Sequence, residues 1–122
     1  MKKPLIVYVD EDGTVFAKRC KFEEFRKVLG FEHLDYKRVN EACFVSTVLK
    51  APGEYHLVFD DLGIYDGLRP NPSLAGVVGP WIMPGPFIVC RVNDCGDIID
   101  MDEEDIRRIR SMPLLEIPKS TC

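Results

Sequence analysis

The residues best placed to do chemistry begin at position 10. Asp10-Glu11-Asp12-Gly13-Thr14 sets two carboxylates two residues apart, directly after the apolar run Leu5-Ile6-Val7-Tyr8-Val9. Asp60 and Asp61 form a second acidic pair behind Leu57-Val58-Phe59, a pair that either holds a metal or makes a turn. Ser46, Thr47 and Lys50 lie between them. A second set of residues suits binding better than catalysis. Arg69 and Arg91 carry guanidinium groups of the kind that pair with phosphate. Asn71 stands between Pro70 and Pro72, where its side chain caps a turn or contacts a ligand. Trp81, the one tryptophan, offers a face for a stacked base or a plug for the core. Phe87 follows where the glycine- and proline-rich stretch enters the next strand. Arg69, Asn71, Trp81, Phe87 and Arg91 are therefore the candidate ligand-binding residues, and no catalytic set is assigned.

The first acidic cluster resembles the first motif of the haloacid-dehalogenase phosphohydrolases, in which an apolar strand ends in D-x-D-G-T. The resemblance implies Asp10 as nucleophile and Asp12 as acid and base, with Mg²⁺ neutralising the phosphate. A carboxylate nucleophile splits one hard displacement into two easier ones. Ser46 or Thr47, Lys50 and Asp60-Asp61 then take the places of its later motifs. The spacing opposes that reading. Parallel strands need crossovers of a dozen residues or more, yet only five residues separate Leu49 from Tyr55, around Pro52-Gly53. Glu11 also stands where that motif has an apolar or small residue. An acidic turn closing a hairpin is the expectation adopted here.

Composition narrows the class. The chain has 122 residues, enough for one domain with its own core. Its net charge of −4 gives no basic stripe for nucleic acid. No apolar stretch is long enough to span a bilayer or serve as a signal peptide, so a cytoplasmic protein with no membrane partner is expected. The five cysteines are irregularly spaced, and His33 and His56 sit near no cysteine pair. Zinc and a disulfide framework are not expected, and neither is another cofactor.

These residues need elements to position them. Leu5–Val9 and 15–18 read as a hairpin through Gly13. Lys21–Leu29 reads as a helix with an apolar stripe of Phe22, Phe25 and Leu29, ended by Gly30. Leu34–Val39 has a partial strand period. The continuous apolar run Cys43–Leu49 reads as a central strand, turned at Pro52-Gly53 into a strand over Tyr55–Phe59. Residues 60–86 hold five of nine glycines and five of nine prolines and read as a long loop, with room for a short helix near Ser73–Ala75. Phe87–Val92 and Ile98-Ile99 read as strands about an Asn93–Asp97 turn. The last helix runs over Asp102–Ser111, with acids first and Arg107, Arg108 and Arg110 last, as the helix dipole favours. Asp102 and Asp105 suggest a capping box. The sum is an α+β domain over residues 1–112, mostly an antiparallel sheet of about five to seven strands with two helices. Residues 113–122 form a tail, frayed or used in self-association.

From Asp60 onward the chain is similar to a family of small proteins of unknown function found in phages, plasmids and conjugative elements. Gly67-Leu68, Asn71 and Gly85-Pro86-Phe87 carry the resemblance, followed by the final strand, turn and helix. Pro72 and Pro80–Pro84 depart from the family's pattern. The resemblance implies an accessory role in conflict between mobile DNA and its host. The function expected from these readings is non-enzymatic binding of a small ligand, such as a nucleotide-type immune signal. The phosphohydrolase and an acidic inhibitor that mimics DNA are the alternatives.

Overall fold

The computed structural model describes residues 3–31, 33–38, 44–51, 53–60, 67–78 and 81–115, with Trp81 described by its backbone alone. The fold is α+β, built on a six-stranded antiparallel sheet. Its strands are β1 (Leu5–Val9), β2 (Val15–Arg19), β3 (Leu34–Arg38), β4 (Glu54–Asp60), β7 (Phe87–Val92) and β8 (Ile98–Ile99). A separate two-stranded sheet joins β5 (Val77–Val78) to β6 (Trp81–Ile82). The helices are α1 (Phe25–Leu29), α2 (Val45–Val48) and α3 (Glu103–Arg110). No helix among the described residues is long and apolar enough to cross a membrane.

β7 is the central strand because nearly every side chain it carries is apolar. Side chains alternate across a sheet, so a strand apolar on both faces must be covered on both. Phe87 and Val89 enter one core with Val7, Val9, Leu57, Phe59, Met83, Ile106 and Ile109. Ile88, Cys90 and Val92 enter a second with Ile6, Val58, Phe25 and Leu29. The order across the sheet is β2-β1-β7-β4-β3, with β8 paired to β7. α2 and α3 cover the first face, and α1 lies on the second. Burying Phe25 or Phe87 contributes about 1.5–3 kcal/mol each, and both are fully buried.

Three expectations need correction. Cys43 lies outside the described residues, and Val45–Val48, read as a central strand, is helical. A continuous apolar run does not distinguish a buried strand from a buried helix by periodicity. Thr47 then bonds back to the Phe44 carbonyl at 2.6 Å, closing a turn. The link to Tyr55 is thus a helix-to-strand connection, and β4 pairs with β3 instead. Next, the helix expected over Lys21–Leu29 starts as a 3-10 turn at Phe22–Glu24. Phe22 consequently leaves the stripe and is 64% exposed, while Phe25 and Leu29 stay buried. Finally, Asp102 caps α3 by accepting from the Glu104 and Asp105 amides, but Asp105 turns away from the cap.

Asp105 is instead a buried anchor. Its carboxylate accepts from Tyr55 Oη at 2.6 Å, the Lys50 amide at 2.9 Å, the Ala51 amide at 3.2 Å and Arg108 Nη1 at 2.6 Å. These bonds tie α3 to the link between α2 and β4. The segment read as a loop is likewise built into the core. Asn71, Ala75 and Met83 are all fully buried, and a 3-10 turn spans Leu74–Gly76. Residues 114 and 115, at the start of the expected tail, also make contacts with this segment. Leu114 bridges to Ser73, and the Leu115 amide donates to the Pro72 carbonyl at 2.7 Å.

Candidate functional site

The acidic motif at position 10 is spent on a turn. Asp10 Oδ1 accepts from the Asp12 and Thr14 amides, each at 2.9 Å. The Asp10 amide donates to the Thr14 carbonyl, and the Gly13 amide to the Asp10 carbonyl. Gly13 sits at φ 84°, where a side chain would be strained. The turn between β7 and β8 has the same construction. There Asn93 Oδ1 accepts from the Cys95 and Asp97 amides, and Gly96 has φ 83°. An amide oxygen at position 93 does the work of the carboxylate oxygen at position 10, so the turn does not require an acid. Both neighbours of β1 are antiparallel, unlike the parallel sheet that the phosphohydrolase resemblance implies. No group of three His, Cys, Asp or Glu side chains suited to a metal occurs among the described residues. Asp61 lies outside those residues, and Asp60 is buried. Asp10→Asn is expected to keep the fold within about 0.5 kcal/mol of wild type, read from a urea melt. A loss several times larger would mean that the negative charge itself matters.

The four candidate ligand residues whose side chains are described are not brought together. Asn71 is fully buried. Its Nδ2 donates to the Asp10 carbonyl at 2.7 Å and the Gly85 carbonyl at 3.0 Å, and its Oδ1 accepts from the Ser73 amide at 2.9 Å. Phe87 is fully buried in the core. Neither presents a face to a ligand, because core packing and internal bonds consume both. Arg69 is exposed, and its carbonyl receives the Gly85 amide beside the start of β7. Arg91 lies near the far end of β7, where Nη1 meets the Asp100 carbonyl at 3.4 Å. The rise of a strand puts positions 87 and 91 about 13 Å apart, too far for one phosphate to serve both ends. The Trp81 side chain lies outside the described residues; its backbone pairs with Val78.

The structure opens a different site. α1 covers only part of the second sheet face. What remains is a cleft of about 670 Å³, within the range of small-molecule pockets. Val58, Cys90, Val92 and Ile98 form its floor. Phe22 and Phe25 form one wall, with ring centroids 5.6 Å apart and edge to face. Leu34, Asp35 and Tyr36 of β3 form the other. Glu54 and His56 stand on the rim, and the 93–97 turn closes one end through Asn93, Asp94 and Gly96. Tyr36 stacks on His56 with centroids 4.6 Å apart, yet stays 52% exposed. His56 Nε2 is shielded from solvent and makes no hydrogen bond among the described residues; it lies 3.6 Å from Glu54 Oε2.

His56 and Cys90 are direct cross-strand partners, an adjacency that suggests a nucleophile and its base. The thiol does not meet that requirement. Burial pushes its pKa up to about 12, against a small opposing pull from a backbone hydrogen bond at His56. The thiolate is the reactive form, and at pH 7 it is then roughly one part in 10⁵. Cys90 therefore serves the cleft as apolar floor. The arrangement favours binding over covalent chemistry.

Sequence reasoning assigned nothing to Tyr36 or His56 and placed Phe22 in the core. Two signals were present. Glu54, His56 and Val58 share one face of β4, and that face is too polar for full burial. Leu34, Tyr36 and Arg38 share the matching face of β3, opposite Asp60, Val58 and His56. Compared with family models, curated proteins and solved structures, the chain matches none.

Proposed function

We propose that this domain is a non-enzymatic binding protein for a small ligand, held in the cleft between α1 and β3–β4. One observation carries the reading: two aromatic side chains, Phe22 and Tyr36, stand largely exposed in the lining of one cavity with an apolar floor. Exposed rings cost solvation free energy unless something covers them, and aromatic lining suits a flat, apolar ligand body. A nucleotide fits less well. Its phosphates need cations, and the lining contains no lysine or arginine. A cytoplasmic setting agrees with the free thiols of Cys20, Cys90 and Cys95. Sequestering a host signal for a mobile element is a role such a binder can fill, and the family resemblance motivates it.

The test is a fragment screen read by amide chemical-shift changes. Bound fragments are expected to move the resonances of Tyr36, His56, Val92 and the 93–97 turn. Tyr36→Ala is expected to weaken them roughly tenfold, the effect of losing one ring contact, while Arg69→Ala leaves them unchanged. Shifts clustered around Arg69, with the cleft silent, would overturn the reading.

A further inference from the structure

Resting on that reading, we infer that the cleft takes an aromatic organic cation: a flat ring system carrying an ammonium or amidinium group. Apolar walls alone would accept any flat ligand, so the charge of the rim decides. Glu54 and Asp94 contribute carboxylates to the lining, while Asp35, paired with Phe59, projects its side chain to the other sheet face; no lysine or arginine joins them. An anion entering there meets repulsion from every charged group in the wall. A cation meets attraction from the carboxylates and finds aromatic side chains, Phe22 and Tyr36, in the same lining.

Glu54 already has a cation. Arg38 Nε lies 3.1 Å from Glu54 Oε1, outside the cleft lining, with both side chains about half exposed. Exposed pairs of this kind are weak and exchange readily. Arg38 thus acts as a built-in competitor for the carboxylate a ligand cation would use. Removing it should strengthen cation binding, whereas a purely apolar cleft would not respond. The neighbouring trough past Phe22 holds Lys3 and Lys21 together with Glu23 and Asp97. Its charges balance, so it does not reverse the sign of the cleft.

Three probes with one ring and different charge test this: tryptamine (cation), tryptophol (neutral) and indole-3-acetate (anion), titrated at pH 7 into the full chain and read by amide shifts. Tryptamine is expected to bind at least fivefold tighter than tryptophol, with indole-3-acetate weakest. Glu54→Gln should bring tryptamine down to the level of tryptophol while leaving tryptophol itself unchanged. Arg38→Gln should tighten tryptamine two- to fivefold. Equal affinity of all three probes at the cleft would overturn the cation and leave the binding site standing. Tightest binding by indole-3-acetate would overturn it in favour of an anionic ligand. No shift at the cleft with any probe would overturn the cation and count against the cleft as a site. Cleft resonances that move with protein concentration alone would identify a second copy of the chain as the occupant. The three-probe comparison on wild type needs no variant, so a misfolded Glu54→Gln protein does not remove the test.

Discussion

Asp105→Ala is expected to cost about 3–5 kcal/mol, the range for breaking a buried charged pair from one side. The carboxylate is fully buried and receives four donors from three places in the chain. Removing it strands the Lys50 and Ala51 amides, takes the acceptor from the partly exposed Arg108 guanidinium and leaves the Tyr55 hydroxyl only the Ala51 carbonyl at 3.3 Å. For a domain of this size the melting temperature should fall by about 10–20 °C, read by far-UV circular dichroism. Tyr55→Phe deletes one donor and should cost only about 1–2 kcal/mol. The double variant should cost clearly less than the sum of the two, because both remove the same bond. A loss below about 1 kcal/mol for Asp105→Ala would show that the link from α3 to β4 is held by packing alone.

The same group sets an acid limb. Burial by itself would raise the Asp105 pKa, but hydrogen bonds from Tyr55, the Lys50 and Ala51 amides and Arg108 outweigh it and leave the group below its ordinary value. A carboxylate depressed in the native state stabilises the fold fully above the unfolded-state pKa. That contribution is lost as the pH falls through the native one. Wild-type stability should therefore decline from about pH 5 downward, and Asp105→Asn should flatten the decline. The Tyr55 hydroxyl is pushed far above its normal range, first by burial and then by Asp105. It stays a donor at any pH at which the protein is handled.

Most of the sheet was legible in the residues, while the site was not. Phe87–Val92 and Tyr55–Phe59 declared themselves because β-branched and aromatic side chains fill both faces. α3 declared itself through its charge order and its apolar pair, Ile106 and Ile109. Val45–Val48 did not, since a short segment flanked by apolar residues satisfies a strand and a helix equally. Phe22 was misread because its spacing to Phe25 and Leu29 is helical in number, whereas the chain there is a 3-10 turn and rotates the ring outward. That one rotation takes Phe22 from the core to the wall of the cleft. The cleft itself joins residues 22–25, 34–36, 54–58 and 90–98, and only the strand order brings them together. Even correct secondary structure would not reveal it without knowing that β4 lies between β3 and β7. Two of the ligand candidates are occupied for the opposite reason. Asn71 and Phe87 are distinctive in sequence, but the fold buries both.

Asn71 shows how completely. Asn71→Ala is expected to cost about 3–5 kcal/mol, the sum of stranded partners in a dry site. The side chain joins the 10–14 turn, through the Asp10 carbonyl, to Ser73 and Gly85 in the 67–86 segment. Its backbone amide also donates to the Met83 carbonyl at 2.7 Å. Gly85 must be glycine here: its φ is 67°, and a Cβ would lie 2.8 Å from Leu68 Cδ1. Leu68, Asn71, Gly85 and Phe87 are thus an architectural cluster that packs a glycine- and proline-rich segment onto the sheet. Asn71→Asp separates the hydrogen bonds from the shape. The new carboxylate would face two carbonyl oxygens with no proton to give, so burial and repulsion would both raise its native pKa above the unfolded value. Such a group is tolerated while protonated, and its cost grows as the pH rises past the unfolded-state pKa. The variant should therefore be less stable at pH 8 than at pH 5, and the slope should be absent from Asn71→Ala. Urea melts at the two pH values decide the matter. Equal stability of Asn71→Asp at both would mean that Nδ2 does not hold these carbonyls, and that the segment stays in place through Ala75 and Met83 alone.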